Sequence, residues 1–383
     1  MEIVNCKTLL ELNALEETWE RLSKQEPIFV PSFSELRAQF ELLGSNFRIL
    51  VAVENFKVLA IACFAYRQGI KRYSIGERKL FDLPVKELEL FGSCVLGQAG
   101  ECVIVKLFKI IKKEANFDLV NVGEIAIDSP LYKAVTNFLG GLVWRATRRN
   151  TIRWLIELPR SFDDYVKSLG PATRKNDVRH FKKFERELAS ELHIIQRPEQ
   201  VETFLRDGES ISRKTYQWNV GQRLCNDGAT RHGFMRLAKE GRLRAYIVYM
   251  DKKPCAFAWG EVNHNIYLSN NTGFDPEYRK ASPGTAIMLW VIRDLIENTD
   301  CKFFDFGTGG DNMNFKSRYG NTSLNVASIQ LANYRPYSFV LYLLDEMING
   351  GKNLANAIIS QGNFRQRLKR AIRQYGEKKP SLP

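Results

Sequence analysis

Apolar residues recur along the chain with two different periods, and these periods divide it into helices and strands. A capping-box pattern at Thr8–Glu11, followed by apolar positions three and four residues apart, predicts a helix over about residues 8–24. Apolar runs on both sides of Glu54–Lys57 predict a hairpin. Residues 80–98 show no clear period. The other predicted elements of the first half are helices over 33–43 and 101–114 and from Pro130, and strands over 47–53, 58–66, 71–76, 117–122 and 152–158.

The second half repeats this rhythm. In the first half Gly100 begins a helix and Gly123 ends the next strand, and Gly284 and Gly307 do the same in the second half, again 23 residues apart. We therefore predict an α/β (α+β) fold of two tandem units, each a mixed, mostly antiparallel sheet flanked by helices. The predicted elements of the second half are helices over 171–190, 199–217, 229–240 and 286–297, and strands over 243–250, 255–262, 265–273, 303–306 and 323–332.

Charge adds a third region to this division. Residues 351–383 contain eight basic residues and one acidic residue, which accounts for +7 of the net charge of +13. A basic tail attracts anionic lipid or nucleic acid, but an amphipathic helix that packs on the body explains the pattern equally well. The predicted regions are residues 1–160, residues 161–335, and a helical basic tail over 336–383.

Cysteine and histidine usage indicates a reducing compartment and no metal site. The seven cysteines are scattered without a CxxC pair, and the four histidines lack metal-ligand spacing. The N-terminus is acidic and has no signal-peptide pattern, and no apolar run reaches transmembrane length. We therefore expect a cytoplasmic protein. Peripheral contact of its basic tail with the inner face of the membrane is the alternative.

The segment Asp275–Thr285 joins a predicted strand to a predicted helix and has the features of an anion site. Ser282 is a favourable N-cap, a proline follows in the first turn, and Gly284 allows close approach to the backbone. The helix amides and dipole favour an anion such as a pyrophosphate, and Arg279 and Lys280 stand just before them. A well-capped helix that binds nothing is the structural alternative.

This loop, of the form D-P-x-[YF]-R-x-x-[SG]-x-G, resembles the acyl-CoA loop of the GNAT acyltransferase superfamily. The strand end FDFG, the box Phe315–Gly320 and the motif Thr173–Asn176 are similar to the branch that contains CelD-like proteins of polysaccharide biosynthesis and Fem-type peptidyltransferases. That branch also has two tandem GNAT-like units. The resemblance implies acyl-CoA, such as acetyl-CoA, as co-substrate, held by Arg279, Lys280, Ser282, Gly284 and Thr285.

The first unit lacks the residues of this loop and of the strand end, so we interpret it as a degenerate copy of the second unit. It has Gln98–Gly100 at the place of Ser282–Gly284, and Asn121 at the place of Asp305.

Four residues of the second unit are candidates for catalysis of acyl transfer to an amine. Asp305 can act as a general base, or it can cap the amides after its strand. Glu261 is a second candidate base that can equally pair with a cation. Lys316 can neutralise negative charge, and Tyr319 can give a proton to the departing thiolate, although surface and packing roles stay open for both.

The predicted helix over 171–190 carries a stripe of cations. The positive charges of Arg174 and Lys175 in the first turn oppose the helix dipole and destabilise the helix. An anionic substrate bound there would offset this cost. The rest of the stripe is interpreted as a solvated face, in which Lys182, Lys183 and Arg186 are balanced by Asp177, Glu185 and Glu187.

Three functions follow from these residues. The first is an acyl-CoA-dependent N-acyltransferase that acts on an amine of an anionic small molecule, such as a sugar nucleotide or envelope precursor. The second is a Fem-type transferase that takes its group from aminoacyl-tRNA. The third is a non-catalytic scaffold or regulator whose basic tail binds membrane or nucleic acid.

Overall fold

The structure, a computed structural model, describes residues 1–26, 29–75, 78–97, 99–114, 116–138, 143–187, 190–219, 221–309 and 314–360. It forms two compact units. The first comprises Met1–Ile152 together with Leu324–Ile359, and the second comprises Arg153–Ser323.

The predicted helices and strands occur in the predicted order, and the structure adds strands over Glu2–Cys6 and Ser190–Ile195 and a helix over Phe162–Ser168. The chain begins with β1 (Glu2–Cys6), α1 (Leu9–Asn13), α2 (Glu16–Ser23), α3 (Phe33–Leu43), β2 (Phe47–Glu54), β3 (Lys57–Ile75), β4 (Arg78–Leu96), α4 (Glu101–Glu114), β5 (Leu119–Ala126), α5 (Pro130–Lys133) and β6 (Val143–Glu157). It continues with α6 (Phe162–Ser168), α7 (Pro171–Thr173), α8 (Arg179–Glu187), β7 (Ser190–Ile195), α9 (Pro198–Ser212), α10 (Tyr216–Asn219), α11 (Gly228–Lys239), β8 (Leu243–Met250), β9 (Lys253–Asn263), β10 (Ile266–Phe274), α12 (Pro283–Asn298), β11 (Phe303–Gly309), α13 (Asn314–Tyr319), β12 (Thr322–Asn333) and α14 (Pro336–Ser360).

The sheet of the first unit runs in the order β1-β2-β3-β4-β5-β12. Its neighbouring strands are antiparallel except β4 and β5, which are parallel and are joined through α4. Helices α4 and α5 bury apolar side chains such as Leu107, Phe108 and Leu131 in one core cluster. A second cluster contains Trp19, Phe33 and other residues of α1–α3. Because successive side chains of a strand point to opposite faces of the sheet, the strands contribute apolar residues to both clusters.

The second unit repeats this arrangement. Its strands run in the order β7-β8-β9-β10-β11, and the end of β6 lies beside β11. The pairs β7–β8, β8–β9 and β9–β10 are antiparallel, and β10–β11 is parallel, with α12 as the crossover helix. Residues of α6, α8 and α12 share one apolar core with strand residues, and α9 and α11 contribute to another.

Strand register shows the same duplication at the level of single residues. The last parallel pair of β4 and β5 is Glu89 with Asn121, and the last parallel pair of β10 and β11 is Leu268 with Asp305. Asn121 therefore occupies the position of Asp305, as the spacing of the glycines predicted. The predicted α/β fold of two tandem units is confirmed.

Several predicted boundaries differ in the structure. The helix predicted over 8–24 is α1 and α2, and the capping box of Thr8 and Glu11 is present in α1. The strand predicted over 71–76 is the end of the 19-residue β3, and residues 80–98, which carried no clear period, lie mostly in the equally long β4. The helix predicted over 171–190 consists of α7, a π-helical turn (Arg174–Val178) and α8.

The two units also end at other residues than the predicted 160 and 335. The division falls within β6, between Ile152 and Arg153, and β12 and α14 belong to the first unit. Strand pairing explains the difference, because β12 is antiparallel to β5, from Val326 beside Ala126 to Ala332 beside Leu119. Local sequence patterns do not specify such a long-range pairing. The basic residues of the predicted tail from 361 onward lie outside the described residues.

Candidate active site

A cavity opens in the second unit where β10 and β11 diverge. Within the described residues, their parallel pairing stops at Leu268 and Asp305, although β10 continues to Phe274 and β11 to Gly309. A register irregularity between Ser269 and Asn271 accompanies this divergence. The cavity has a volume of about 380 Å³, and its lining includes the end of β10, the start of α12, Arg279, Phe315 and Tyr319. The cavity therefore lies beside the segment in which β10 and β11 no longer pair with each other.

The loop between β10 and α12 is held by a buried carboxylate. Asp275 is 2% exposed and accepts a hydrogen bond of 3.0 Å from the amide of Glu277, which starts the 3₁₀ turn Pro276–Ala281. The ammonium group of Lys214 lies 2.5 Å from the other oxygen of Asp275. The hydrogen bond to Asp275 raises the pKa of Lys214, so this lysine stays charged. These contacts fix the loop that presents Arg279 to the cavity.

Helix α12 begins differently from the prediction. Ser282 has left-handed backbone angles (φ 58°, ψ 45°), and its side chain makes no capping hydrogen bond. Its carbonyl oxygen accepts hydrogen bonds from the amides of Thr285 and Ala286. Because Pro283 lacks an N–H group, the first amide of the helix belongs to Gly284, which lines the cavity. The helix start at which the sequence predicted an anion site therefore has no serine side-chain cap, and anion binding there stays a prediction.

Tyr319 joins the cavity to the helical segment formed by α7, the π-helical turn and α8, which carries the stripe of cations and is called the basic helix below. Its side chain is buried at 3% exposure, and its hydroxyl group donates a hydrogen bond of 2.8 Å to Oδ2 of Asp177. Burial and the neighbouring Asp177 carboxylate raise the pKa of Tyr319, so the phenol remains protonated at neutral pH. A protonated hydroxyl group at the cavity wall can donate a proton, and the predicted role of Tyr319 stays a prediction.

Asp305 forms a buried ion pair that the sequence analysis did not predict. The guanidinium group of Arg153 donates from Nε at 2.8 Å and from Nη2 at 2.6 Å to Oδ2 of Asp305, whose side chain is fully buried. The amide of Gly307 donates to its Oδ1 at 2.7 Å. A carboxylate whose oxygens are engaged in this way is poorly placed to accept a proton from a substrate. The contacts therefore favour the capping alternative over the general base.

The contacts of Lys316 also favour a structural role over the predicted neutralisation of substrate charge. Its ammonium group donates to the carbonyl oxygens of Phe306 at 2.7 Å and Thr308 at 2.8 Å, and that of Gly307 lies at 3.5 Å. These carbonyl groups belong to the end of β11, where pairing with β10 has stopped. Lys316 thus donates hydrogen bonds to carbonyl groups at the end of its neighbouring strand.

Glu261 pairs with a cation, as one of its two predicted alternatives states. Its Oε2 accepts a hydrogen bond of 3.1 Å from Arg242, and the amide of Asn270 lies 3.4 Å from Oε1. Glu261 is outside the lining of the cavity at the end of β10.

The predicted anion-binding residues lie on the surface. Arg174 and Lys175 are exposed, and Arg174 donates a hydrogen bond of 2.5 Å to the carbonyl oxygen of Lys167. Lys280 is exposed as well and, unlike Arg279, does not line the cavity. The structure therefore brings five predicted residues together at the cavity: Arg279, Ser282, Gly284, Thr285 and Tyr319. Asp305 and Glu261 instead pair with arginines, and Lys316 binds backbone carbonyl groups.

Sequence reasoning missed three partners that organise the site: Asp177, Lys214 and Arg153. Each makes its contact with a residue more than 60 positions away, at Tyr319, Asp275 and Asp305 respectively. Only Asp177 carried a signal, because it follows the Thr173–Asn176 motif directly.

Residues 171–317 match the family model described as an acetyltransferase (GNAT) domain. No curated protein sequence matches the chain significantly.

Among solved structures, FemX covers 85% of this chain and 97% of its own length, with 9% identity and a TM-score of 0.58. A conserved protein of unknown function from Bacteroides thetaiotaomicron covers 87% and 100%, with 14% identity and a TM-score of 0.52. The C-terminal domain (DUF2156) of a putative lysylphosphatidylglycerol synthetase from Agrobacterium fabrum covers 89% and 98%, with 9% identity and a TM-score of 0.51. At these identities the likeness concerns the fold alone.

Among the described residues, every helix is either too short or too polar to cross a membrane. The resemblance to the GNAT superfamily is supported over residues 171–317, which match the GNAT acetyltransferase domain, and the chain shares the fold of FemX. Membership of the Fem-type branch stays a prediction.

Proposed function

We propose that this protein is an acyl-CoA-dependent N-acyltransferase that acts on an amine of an anionic small molecule. The observation that supports the donor is the cavity of about 380 Å³ at the divergence of β10 and β11, which combines the start of α12 with Arg279. A helix N-terminus and a cation favour a diphosphate, and the wider GNAT domain supports acyl transfer. Because acyl-CoA is a cytoplasmic metabolite, the reaction would take place in the cytoplasm.

In this proposal the chain binds and orients both reactants. Arg279, the first amide of α12 at Gly284 and the side chain of Thr285 would hold the diphosphate of the donor, with Lys280 adding positive charge from the surface. Arg174 and Lys175 would attract the anionic group of the acceptor. A sugar nucleotide or an envelope precursor with a free amine fits this description.

The proposed chemistry is direct attack of the amine on the thioester. The amine nitrogen forms a bond to the acyl carbon, the carbon–sulfur bond breaks, and the proton lost by the amine passes to solvent. Tyr319, which lines the cavity and stays protonated, would turn its hydroxyl proton from Asp177 to the leaving sulfur, and the phenolate would regain a proton from solvent. No covalent intermediate on the enzyme is required, because a neutral amine is itself a sufficient nucleophile.

Isothermal titration with acetyl-CoA tests the donor site. We expect binding to the wild type, and a loss of roughly tenfold or more in Arg279→Glu, because the substitution reverses the charge beside the phosphates. Lys302→Glu is a matched control, since Lys302 is exposed in the same unit and lies outside the cavity lining. Absence of binding to the folded wild type, or equal affinity in Arg279→Glu, would remove the proposal.

A second candidate is transfer from aminoacyl-tRNA, and the exposed cations of the basic helix favour it. Retention of aminoacyl-tRNA on a filter at physiological salt, together with no response to acetyl-CoA, would support it over the first.

A further inference from the structure

One polar side chain of the cavity at the divergence of β10 and β11 has no role in the function proposed so far. Gln217 belongs to the short helix α10, between α9 and α11, and it is half-buried where it lines the cavity. Within the described residues, its carboxamide group makes no hydrogen bond. A carboxamide has two N–H donors and one acceptor oxygen, so it can bind a carbonyl group of a ligand in the cavity.

The other polar side chains of this lining are engaged elsewhere or stand at the start of α12. The hydroxyl group of Thr272 donates a hydrogen bond of 3.0 Å to a carbonyl oxygen of β9. Arg318 and Tyr319 both contact the carboxylate of Asp177, at 3.4 Å and 2.8 Å. The remaining three belong to the proposed diphosphate site: Arg279, Ser282 and Thr285. Gln217 is therefore the polar side chain of the described lining that stays available for the thioester end of the donor.

Contacts on both sides of Gln217 fix the segment that carries it. Before it, Thr215 packs against β10, because a Cβ atom added at Gly273 would lie 3.3 Å from Cγ2 of this threonine. After it, Nε of Arg223 donates a hydrogen bond of 2.7 Å to the carbonyl oxygen of Trp218. The guanidinium group of Arg223 also lies 5.1 Å from the centroid of the indole ring. A fixed backbone lowers the entropic cost of placing the Gln217 side chain against a ligand.

Acyl transfer needs a hydrogen-bond donor at one further atom, the carbonyl oxygen of the thioester. When the amine nitrogen bonds to the acyl carbon, an electron pair of the carbonyl group moves to its oxygen, and it returns when the carbon–sulfur bond breaks. A donor beside this oxygen stabilises the negative charge. Lys316, which the sequence predicted for this role, donates to carbonyl groups of β11 instead, and Tyr319 is assigned to the sulfur.

We propose that an N–H group of Gln217 donates a hydrogen bond to the thioester carbonyl oxygen and stabilises the negative charge that develops on it. This assignment rests on the proposed function, because it requires acyl-CoA in the cavity. Gln217 and Tyr319 line one cavity of about 380 Å³, so a thioester bound there can meet both side chains. Gln217 then acts on the oxygen and Tyr319 on the sulfur of the same group, which makes Gln217 a catalytic residue.

Calorimetry with two CoA ligands tests this contact without any knowledge of the acceptor. S-ethyl-CoA has the two-carbon chain of acetyl-CoA but lacks its carbonyl oxygen. We expect the ratio of the affinities for acetyl-CoA and S-ethyl-CoA to fall about fivefold in Gln217→Leu, which corresponds to one neutral hydrogen bond. The affinity for S-ethyl-CoA itself should stay the same, because the variant leaves the rest of the cavity intact. Gln222→Leu is the matched control, since Gln222 is an exposed glutamine of the same loop outside the cavity lining.

A second variant and a spectrum keep the test independent of the folding of Gln217→Leu. Gln217→Glu preserves the length of the side chain but replaces the N–H donors by a carboxylate, so it should lower the affinity ratio at least as far. The infrared carbonyl band of bound, carbonyl-labelled acetyl-CoA reports the hydrogen bond directly. We expect this band at lower frequency in the wild type and in Gln222→Leu than in either Gln217 variant.

The results distinguish failure of this assignment from failure of the proposed function. Equal affinity ratios and equal carbonyl bands in the wild type and the Gln217 variants, with acetyl-CoA bound by all, would overturn the role of Gln217 and leave the proposed function standing. An equal fall of the ratio in Gln222→Leu would also overturn it, because distortion of the loop would then explain the effect. Absence of acetyl-CoA binding to the folded wild type would overturn both.

Discussion

The hydroxyl group of Tyr319 donates a hydrogen bond of 2.8 Å to Oδ2 of Asp177, and this bond connects the cavity at the divergence of β10 and β11 to the basic helix. Arg318 lies 3.4 Å from the same carboxylate oxygen and places its guanidinium group over the Tyr319 ring. Asp177 thereby holds the phenol in one orientation. The π-helical turn Arg174–Val178 contains Asp177 itself, and such turns occur frequently at functional sites.

Replacement of Tyr319 by phenylalanine should lower the rate of transfer far more than the affinity for the donor. We expect kcat to fall by about 100-fold, the lower range for loss of a general acid, while the Kd for acetyl-CoA changes less than about twofold. Release of the CoA thiol in the presence of a saturating acceptor amine measures the first quantity, and calorimetry measures the second.

Tyr278→Phe is the control for that experiment, because Tyr278 belongs to the adjacent loop without lining the cavity. Asp177→Asn should retain part of the rate, since an amide can still accept the phenol hydrogen bond. A Tyr319→Phe variant with unchanged kcat would show that the tyrosine only packs against its neighbours.

Buried tyrosines predict a loss of stability at alkaline pH. Burial raises the pKa of Tyr165, Tyr246, Tyr267 and Tyr319 in the folded state above the usual value of 10. Above pH 10 the unfolded chain releases these protons and the folded chain keeps them, so the free energy of unfolding decreases by about 1.4 kcal/mol per pH unit for each such tyrosine. Below the unfolded-state pKa their contribution is fully present.

Urea unfolding between pH 8 and pH 11 measures this slope, and absorbance of the phenolate reports whether the tyrosines ionise before unfolding. The decrease in the free energy of unfolding per pH unit should be smaller in Tyr319→Phe than in the wild type by the contribution of one tyrosine, about 1.4 kcal/mol per pH unit. An equal slope in both proteins would mean that Tyr319 ionises in the folded state.

The sequence predicted the order of elements well because each element is encoded locally. The apolar positions of α4 and α12 and the hairpin around Glu54–Lys57 depend on residues within a few positions of each other. The duplication was predictable for the same reason, since Gly123 and Gly307 each lie two residues after the last parallel pair of their strands. The prediction that these glycines end the strands was wrong, because β5 continues to Ala126 and β11 to Gly309.

The partners of the site residues were not predictable because they come from distant segments. Nothing near Asp305 indicates that Arg153, 152 positions earlier, neutralises it, and nothing near Asp275 indicates Lys214. The same holds for two carboxylates of the basic helix, because Asp177 bonds Tyr319 and Glu185 bonds Trp290, both on other elements. Residue type identified candidate groups, but only packing decided which of them face the cavity.

The ion pair of Arg153 and Asp305 should contribute to stability and not to proton transfer. Arg153→Met leaves a fully buried carboxylate without its cation, so we expect a loss of about 3–5 kcal/mol in the free energy of unfolding. The double variant Arg153→Met/Asp305→Leu removes both charges and should recover much of that loss. Urea unfolding of the wild type, both single variants and the double variant completes the cycle.

Binding of acetyl-CoA supplies the second measurement for this pair. A double variant that folds and binds acetyl-CoA, and that retains transfer activity, would confirm the structural role. A folded double variant without activity, whose affinity for acetyl-CoA is unchanged, would instead restore Asp305 as a candidate general base.

Gly284 lies where the start of α12 meets the end of β10, and it predicts a contrast between two glycine substitutions. A Cβ atom added at Gly284 would lie 3.0 Å from Cδ1 of Phe274, a residue of the cavity wall, whereas one added at Gly233 within α11 would meet no atom within 4 Å. Alanine normally stabilises a helix interior relative to glycine by about 1 kcal/mol. Gly233→Ala should therefore raise the melting temperature and leave the Kd for acetyl-CoA unchanged. Gly284→Ala should forfeit this gain, because the Phe274 ring must shift, and it should weaken acetyl-CoA by roughly fivefold through the altered wall. Thermal unfolding and calorimetry on both variants test the contrast, and equal stabilisation with equal affinity would show that the wall at Gly284 does not shape the donor site.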